Sequence, residues 1–368
     1  MISRRQFIAS ATATSCGLMT QQACSLGMSV DKYEQAISST WRHSLRDASD
    51  SAVLRLDLVR YATLAPSSHN TQCWKFFIEE HAISILPDLL RRCPSVDPDD
   101  HHLFVSLGCA AENLMQAALA NGLKGEAHFD AVAAGGIRIA LEPSKAVVSP
   151  LFQAIIERQS TRAEFDGKQL SIEELRLLEQ AGTGDGVQVL LLTEKASMEN
   201  ILEYVVQGNS AQMNDPSFVA ELKTWIRFSR DEAVRTGDGL FSGTTGNPSV
   251  PRWLGSLLFG ILYTQKSEND KYVKQVRSSA GIAIFVSEEN NKAHWVEVGR
   301  CYERFALQSA ALGIRNAMIN QPVEVPVLRP QVAAFLGIRN RRPDLIVRFG
   351  RGPKMPHSQR RPVQEVLA

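Results

Sequence analysis

The sequence predicts an α+β fold that is built twice within one chain. Helical and strand-like segments mix on both sides of a boundary near residues 143–150. Segments 108–124 and 299–315 also align without gaps at an offset of 191 residues, and each has a glycine two residues before its end, where a helix C-cap belongs. The four identical positions pair Gly108, Glu112, Ala120 and Gly122 with Gly299, Glu303, Ala311 and Gly313. We therefore expect a tandem duplication of one α+β unit.

The first thirty residues differ from the rest of the chain. Arg4 and Arg5 precede a short, mildly apolar stretch, IASATATSCGLM, as in a twin-arginine export signal. The alternative is a slightly basic, disordered N-terminus. The favoured interpretation predicts a periplasmic protein that the export machinery carries in folded form. A lipid anchor on Cys16 or Cys24 is not favoured, because neither has a leucine-like residue three positions upstream.

Composition excludes several classes of function. Apolar residues make up 44% and charged residues 21% of the 368 residues, as in soluble globular proteins. A net charge of +1 without a basic run argues against a nucleic-acid partner. The apolar run 255–263 is far shorter than the roughly 20 residues that span a bilayer. No metal site is expected, because Cys73, Cys93, Cys109 and Cys301 lack zinc-ligand spacing. We expect these cysteines to be buried free thiols, although the sequence does not decide whether any of them form disulfides.

In the first half, residues 31–148, local patterns place a helix, a strand pair and a second helix. Helical residues 54–63 run into LAPSSHNTQCW, and strand-like residues 74–78 and 82–86 are separated by a short polar turn. Further on, Asp97 precedes two histidines, His101 and His102. This cluster is interpreted as a capped helix N-terminus rather than as a metal site.

In the second half, residues 149–368, capping signals are clear. Ser149 and Pro150 open a helix through LFQAIIER, and Ser171 with Glu174 forms a capping box for a helix that ends at Gly182. Strands are expected at 187–192 and 281–286. Between them, residues 236–251 hold four glycines and two prolines, which predicts a loop that serves as a lid over a site.

Two motifs resemble those of a known family. LAPSSHNTQCW, residues 64–74, resembles the APSxxNxQPW stretch of FMN-dependent nitroreductases. RQSTR, residues 158–162, resembles the RxSxR motif that opens those proteins, and ALGIRNAMINQP and RRPVQEVL continue the likeness toward the C-terminus. The likeness touches most of residues 50–368. It implies a nitroreductase-like α+β fold and FMN as cofactor, although Cys73 replaces the family's proline.

The order of the two motifs is inverted relative to the ordinary family members. The first half keeps APSSHN without a convincing RxSxR, whereas the second half keeps RQSTR but has AGTGDG where APSxxN is expected. This arrangement resembles two nitroreductase subunits fused into one chain, as in the Acg-like branch. It implies an intramolecular pseudo-dimer that acts as a monomer and retains one complete flavin site.

The resemblance also implies which residues hold the flavin. Arg158 and Arg162 flank Ser160 and can converge on the phosphate, because guanidinium groups match phosphate oxygens with paired hydrogen bonds; the alternative is a solvated helix end. The C-terminal tail supplies another cation, Arg361 by preference, with Arg351 and Arg360 close behind. The residues expected at the ring and ribityl chain are Pro66, Ser67, Ser68, Asn70 and Asn320. No catalytic residue is assigned, and Trp74 is expected in the core.

These features predict an FMN-binding oxidoreductase that passes two electrons to a small acceptor of the nitro-compound or quinone class. An alternative is a protein that sequesters FMN beneath its lid without turnover. A third possibility is an interaction protein that keeps the fold and binds no flavin. The sequence does not identify the electron donor.

Overall fold

The computed structural model describes residues 31–44, 51–132, 134–338 and 340–368. The predicted export signal, with Cys16 and Cys24, lies outside the described residues. Residues Lys32–Ala368 form one compact unit. The helices of the described chain are α1 (Lys32–Thr40), α2 (Ser51–Thr63), α3 (His101–Ala120), α4 (Pro150–Ala154), α5 (Ile172–Gly182), α6 (Lys195–Met213), α7 (Pro216–Trp225), α8 (Arg230–Thr236), α9 (Arg252–Leu262), α10 (Gln265–Arg277), α11 (Lys292–Ala311), α12 (Gln321–Glu324), α13 (Arg329–Phe335) and α14 (Val363–Val366).

The strands form two four-stranded sheets and one two-stranded ladder. They are β1 (Trp74–Ile78), β2 (Ala82–Pro87), β3 (Leu123–Asp130), β4 (Gly136–Pro143), β5 (Val187–Leu192), β6 (Ile226–Arg227), β7 (Leu240–Phe241), β8 (Gly281–Ser287), β9 (Arg315–Met318) and β10 (Arg342–Gly350). The mixture of antiparallel sheets and helices confirms the predicted α+β class. The strand pairs expected at 74–78 with 82–86 and at 187–192 with 281–286 are present as antiparallel neighbours.

The two large sheets share one topology. Their strand orders are β1-β2-β4-β3 and β5-β8-β10-β9, and every neighbouring pair is antiparallel. In each sheet a long helix connects the second strand along the chain to the third: α3 joins β2 to β3, and α11 joins β8 to β9. The same order and the same helix position are consistent with the tandem duplication predicted from the sequence. In the second sheet, helices α6 to α10 are inserted between the first and second strands.

The repeated helices α3 and α11 pack directly on each other through their glycines. A Cβ atom added to Gly108 would lie 2.0 Å from the carbonyl oxygen of Val296, and one added to Gly299 would lie 2.0 Å from that of Val105. Both contacts relate residues that are equivalent at the offset of 191. The two helices therefore cross at a reciprocal contact that only glycine permits.

The predicted capping signals act as expected, with one difference. The capping box of Ser171 and Glu174 is present at α5. Ser149 accepts a hydrogen bond from Phe152 N at 3.0 Å, but α4 ends at Ala154, earlier than the sequence suggests. The backbone tightens there, because Ile155 N and Glu157 N donate to the carbonyls three residues earlier. This early end releases the chain toward Arg158.

Helix α3 begins where the acidic cluster was expected to cap it. The carboxylate of Asp97 accepts hydrogen bonds from His102 N at 3.0 Å and from Leu103 N at 2.9 Å, while Asp100 occupies the residue before the helix. By length and composition α3 could cross a membrane, but 78% of its apolar window is buried inside the protein. Its position between sheet and partner helix is that of a core helix. Among the described residues the four cysteines are free and buried, as expected.

Candidate functional site

The two sequence motifs face one space. A cavity of about 370 Å³ and a smaller one of about 60 Å³ adjoin, and Pro66, Ser67, Ser160, Arg162 and Leu240 line both. Pro66 and Ser67 come from the 64–74 motif of the first half, and Ser160 and Arg162 come from the 158–162 motif of the second. The structure thus brings together segments that are about ninety residues apart in sequence, through the packing of the two halves.

The 64–74 motif follows the end of α2 at Thr63 and turns through left-handed backbone. His69, Asn70 and Gln72 have φ values of 52°, 54° and 54°, a region that glycine adopts freely and that, among other residues, asparagine tolerates well. Gln72 N donates to Ser67 Oγ at 2.9 Å, which closes the turn. Pro66, Ser67 and Ser68 consequently face the larger cavity, and Trp74 is fully buried in the core as predicted.

Asn70 connects the motif to distant parts of the chain. Its Nδ2 donates to Gly239 O at 3.0 Å and to Gln359 O at 3.2 Å, and its Oδ1 accepts from Arg360 Nη1 at 2.9 Å. Gln72 Nε2 likewise donates to Gly237 O at 2.8 Å. Asn70 lines the smaller cavity, but its amide is already committed to protein partners.

This arrangement predicts the effect of removing the amide. We expect Asn70→Ala to lower the free energy of unfolding by about 2–3 kcal/mol, because three buried hydrogen bonds are lost together. Cleavage within residues 236–251 by a protease at low concentration should also become faster, since Gly239 loses one anchor. Asn200→Ala is the matched control: its exposed amide donates to Ala196 O at 2.9 Å on α6. Equal unfolding curves and equal cleavage rates for the two variants would contradict this role.

The RQSTR segment is held by backbone contacts on both sides. Thr161 N donates to Asn316 O at 2.8 Å beside strand β9, and Arg348 Nη2 donates to the carbonyls of Thr161 and Ala163, each at 2.8 Å. Arg158 is buried, with Nη2 donating to Leu64 O at 2.7 Å and Nε at 3.1 Å from the carboxylate of Glu303. Arg158 and Arg162 both line the smaller cavity, and Arg162 also lines the larger one.

The smaller cavity, here called the cationic pocket, has an excess of positive charge. Arg158, Arg162, Arg360 and His357 line it, together with Trp41, Pro66, Ser67, Asn70, Gln159, Ser160, Leu240, Thr244, Pro356 and Ser358. None of these described lining residues is acidic. Arg162 has no carboxylate or hydrogen-bond partner for its guanidinium among the described residues, and burial lowers its pKa. The lining of the pocket therefore carries more positive than negative charge, which favours an anionic ligand.

The pKa values of two neighbours reflect the same excess of charge. Burial, followed by repulsion from Arg158, lowers the pKa of Arg360 to about 9. Burial, followed by Arg158 and Arg360, lowers the pKa of His357 to about 4, and its Nδ1 is buried without a hydrogen-bond partner. An anion in the pocket would relieve the repulsion among these groups.

The tail cation at this pocket is Arg360. Its guanidinium donates to Leu64 O at 3.0 Å and to Ala65 O at 3.1 Å. Arg351 instead pairs with Glu174, and Arg361 donates to Glu365 O at 2.8 Å. Neither Arg351 nor Arg361 lines the two cavities. Sequence spacing alone could not decide between the adjacent Arg360 and Arg361. Arg360 contacts the backbone of Leu64 and Ala65, whereas Arg361 contacts that of Glu365.

The larger cavity combines a polar wall and an apolar wall. Asn320 and Met318 line it near Ser160, with Asn320 Oδ1 accepting from Ile346 N at 2.8 Å. The apolar wall comes from α7, β6, α9 and the loop between β6 and α8, and consists of Phe218, Leu222, Ile226, Phe228, Leu258 and Phe259. Phe259 and Tyr263 are stacked, with ring centroids 4.7 Å apart.

Several residues of this cavity were not predicted from the sequence. His69 lines it, and burial followed by Arg162 lowers its pKa to about 4, so its imidazole is neutral at pH 7. Glu268, Lys271 and Tyr272 of α10 line the opposite side. The adjacency of His69 to Ser68 was a visible signal, whereas α10 belongs to an insertion without a recognisable motif.

The segment predicted as a lid lines both cavities. Residues 236–251 contribute Leu240, Ser242, Thr244, Thr245, Asn247, Pro248 and Val250 to the linings. The segment contains β7, which pairs with β6, and a short 3₁₀ turn at Ser242–Thr245. Its base is fixed by Asp238, whose Oδ1 accepts from Arg227 Nη2 at 2.6 Å.

The cluster of Asp97, His101 and His102 also has the proximity of a metal site. Its potential ligand atoms lie within 4.8 Å of one another. However, both oxygens of Asp97 accept backbone hydrogen bonds, and His101 Nε2 lies 2.9 Å from Asp344 Oδ1. These partners favour the structural interpretation, in which Asp97 fixes the start of α3.

Comparison with known proteins finds no matching family model. A candidate NAD(P)H nitroreductase of Mycobacterium tuberculosis is 24% identical over 322 residues, which cover 83% of this chain and 88% of the relative. A second candidate NAD(P)H nitroreductase of that organism, acg, is 22% identical over 335 residues, covering 84% of this chain and 93% of the relative. The homology is thus distant but extends over most of the chain.

Solved structures give weaker matches. A candidate nitroreductase from Anabaena variabilis has a TM-score of 0.47 at 11% identity, covering 86% of this chain and 91% of that one. A nitroreductase with bound FMN from Bacteroides fragilis has a TM-score of 0.34 at 16% identity, covering 56% of this chain and 89% of that one.

Proposed function

We propose that this chain, a distant homologue of proteins named as NAD(P)H nitroreductases, is an FMN-binding oxidoreductase of the nitroreductase type. In this proposal its two halves form an intramolecular pseudo-dimer that encloses one flavin and passes two electrons to a small acceptor. The observation that carries the proposal is the cationic pocket. It joins the 64–74 motif to the 158–162 motif, and it holds three arginines without an acidic lining residue.

The residues present fit the parts of FMN. The phosphate, with nearly two negative charges, would be held by Arg158 and Arg162, with Ser67 and Ser160 available as hydroxyl donors. Arg360, whose guanidinium already donates to protein oxygens, would add its positive charge. The ring and ribityl chain would extend into the larger cavity along Pro66, Ser67, Ser68 and Asn320. FMN, when bound, would supply the hydride chemistry, and the protein would bind, orient and shield it.

The apolar wall supports a small, planar acceptor. Phe218, Phe228 and Phe259 line the larger cavity together with the motif residues. Burial of an aromatic or quinonoid molecule against such a wall is favourable by roughly 25 cal/mol for each Å² of apolar surface removed from water. Nitro compounds and quinones are therefore the acceptor classes that we propose.

Sequestration of FMN without turnover is a second candidate, favoured by the anchoring of the lid. Asn70 and Gln72 hold the backbone of Gly239 and Gly237, which fixes residues 236–251 against the motif. Such a lid would exclude a bulky nicotinamide unless it opened. The two candidates share the flavin site and differ only in whether a donor reaches it.

Purification separates these possibilities. We expect the full chain to be yellow, with one FMN per chain by absorbance after denaturation. Anaerobic titration with NADH or NADPH should then bleach the flavin, and a quinone or nitro compound should restore the colour. A flavin that is bound but never bleached would favour sequestration. A colourless protein that ignores added FMN would refute both.

Export and chain organisation are also proposed. The Arg4–Arg5 signal supports a periplasmic location, which fractionation of cells that produce the full chain would test. The shared strand order supports residues 31–148 and 149–368 as the two halves. If the halves already complete one site, the chain should function as a monomer, and its mass in solution tests this.

A further inference from the structure

The duplicated helices carry two equivalent buried glutamates in different surroundings. Glu112 of α3 has a full set of partners: its Oε2 lies 3.1 Å from Arg304 Nη1 and 3.5 Å from Arg300 Nε, and its Oε1 accepts from Gln116 Nε2 at 3.0 Å. Among the described residues, Glu303 of α11 forms an ion pair with Arg158 alone, with Nε 3.1 Å from Oε1, and the amide of Asn113 lies beside it. Neither oxygen of Glu303 accepts a well-formed hydrogen bond among the described residues.

Glu303 lies behind the wall of the cationic pocket. Its side chain is fully buried, and Arg158 both contacts its carboxylate and lines the pocket. The titratable and charged groups that face Glu303 are Arg158, Arg360 of the tail, Glu112 and Cys109 of α3, and Tyr302 of its own helix, with the amide of Asn113 beside it. Burial raises the pKa of Glu303 to about 7, although Arg158 opposes the shift.

We propose that Glu303 is a proton-linked positioning residue for the cationic pocket: its carboxylate holds Arg158 while the pocket is empty, and it takes up a proton when a phosphate dianion binds. The inference rests on the proposed flavin site. The geometric reason is that one guanidinium stands between two anions. When the dianion arrives, Arg158 shares its charge with it, and the dianion repels the buried carboxylate.

The sign of the pH dependence follows from this linkage. Below about pH 7, Glu303 is already protonated in the empty protein, so binding takes up no proton there and its contribution to affinity is constant. Above that pH the empty protein carries the carboxylate, while the bound protein keeps the proton up to its raised pKa. FMN affinity should therefore fall as pH rises above neutrality, by up to about tenfold per pH unit.

Equilibrium dialysis of the full chain against FMN, from pH 6 to pH 9, tests the proposal with Glu303→Gln as the key variant. Glutamine keeps an oxygen for Arg158 but cannot titrate. We expect wild-type affinity to fall about tenfold or more between pH 7 and pH 9. The FMN affinity of the variant should equal that of the wild type at pH 6 and change less than about twofold between pH 6 and pH 9. At pH 9 the variant should therefore bind FMN more tightly than the wild type. A glutamate with only a structural role would instead weaken the variant equally at every pH.

Three further measurements isolate the effect. Riboflavin, which lacks the phosphate, should bind without this pH dependence. Arg176→Ala, at an exposed residue that lines neither cavity, should keep the pH dependence of the wild type. Calorimetry of FMN binding to the wild type, in two buffers of different ionisation enthalpy, should show uptake of close to one proton at pH 8. This measurement tests the proposal even if Glu303→Gln fails to fold. Constant affinity from pH 7 to pH 9, with one FMN still bound, would overturn this inference alone; absence of FMN binding would refute the proposed function as well.

Discussion

Arg162→Ala is expected to weaken FMN binding by about 30- to 150-fold, which corresponds to about 2–3 kcal/mol. A hydrogen bond to a charged group contributes roughly 1.5–3 kcal/mol, and a guanidinium can make two to one phosphate. Arg162 is the arginine of the cationic pocket whose guanidinium has no partner among the described residues. The measurement is the dissociation constant of FMN, followed by quenching of flavin fluorescence.

The matched control for this prediction is Arg176→Ala. Arg176 is exposed on α5 and pairs with Glu173, far from the cavity linings. Its removal should leave FMN affinity and stability unchanged within error. Arg162→Ala should also leave the empty protein at least as stable, because a poorly solvated charge is removed. Equal FMN affinities in the two variants would mean that the phosphate site is misplaced.

Arg158→Ala is a less informative variant, and the reason lies in Glu303. Removing Arg158 would leave the buried carboxylate without the one ion pair that it forms among the described residues, which costs about 3–5 kcal/mol when the carboxylate stays charged. The fold and the flavin site would then be lost together. Arg162 separates binding from folding, since its guanidinium compensates no carboxylate.

Gly299→Ala is expected to destabilise the fold by about 3–5 kcal/mol. The added methyl group would lie 2.0 Å from the carbonyl oxygen of Val105, and a backbone atom within a buried helix cannot move aside cheaply. The helices α3 and α11 would have to separate, and they carry the contact between the two halves. Urea unfolding at pH 7 measures the loss.

Two other glycines provide the comparison. Gly260 lies in α9 with open space where a Cβ would stand, so Gly260→Ala should stabilise the protein by up to about 1 kcal/mol. Gly108 makes the reciprocal contact with Val296, so Gly108→Ala should be destabilising by a similar amount to Gly299→Ala. If Gly108→Ala in α3 and Gly299→Ala in α11 both unfolded at the same urea concentration as the wild type, the close crossing of these helices would be contradicted.

Much of the fold was predictable because its signals are local. The capping box at Ser171, the cap at Ser149 and the short apolar runs of the strands all depend on neighbours within a few residues. The offset of 191 also predicted the duplication, because Gly108 and Gly299 occupy the same contact in each copy. The short α4 was not predicted, since the tertiary contacts of Arg158 with Leu64 and Glu303 compete with a longer helix.

The candidate site was predictable only where a motif marks it. Segments 64–74 and 158–162 carried recognisable patterns, and both reach the joined cavities. Arg360 and His357 belong to a tail whose side-chain directions depend on contacts with α2 and Trp41, which no local pattern encodes. The pairing of Glu303 with Arg158 likewise arises only when α11 packs beside the end of α4.

Native mass spectrometry of the freshly purified chain tests the central claim most directly. If the two halves jointly complete a single site, the spectrum should show one polypeptide carrying one FMN, at the mass of a monomer. Two flavins per polypeptide, or flavin found only in a complex of two polypeptides, would contradict the account.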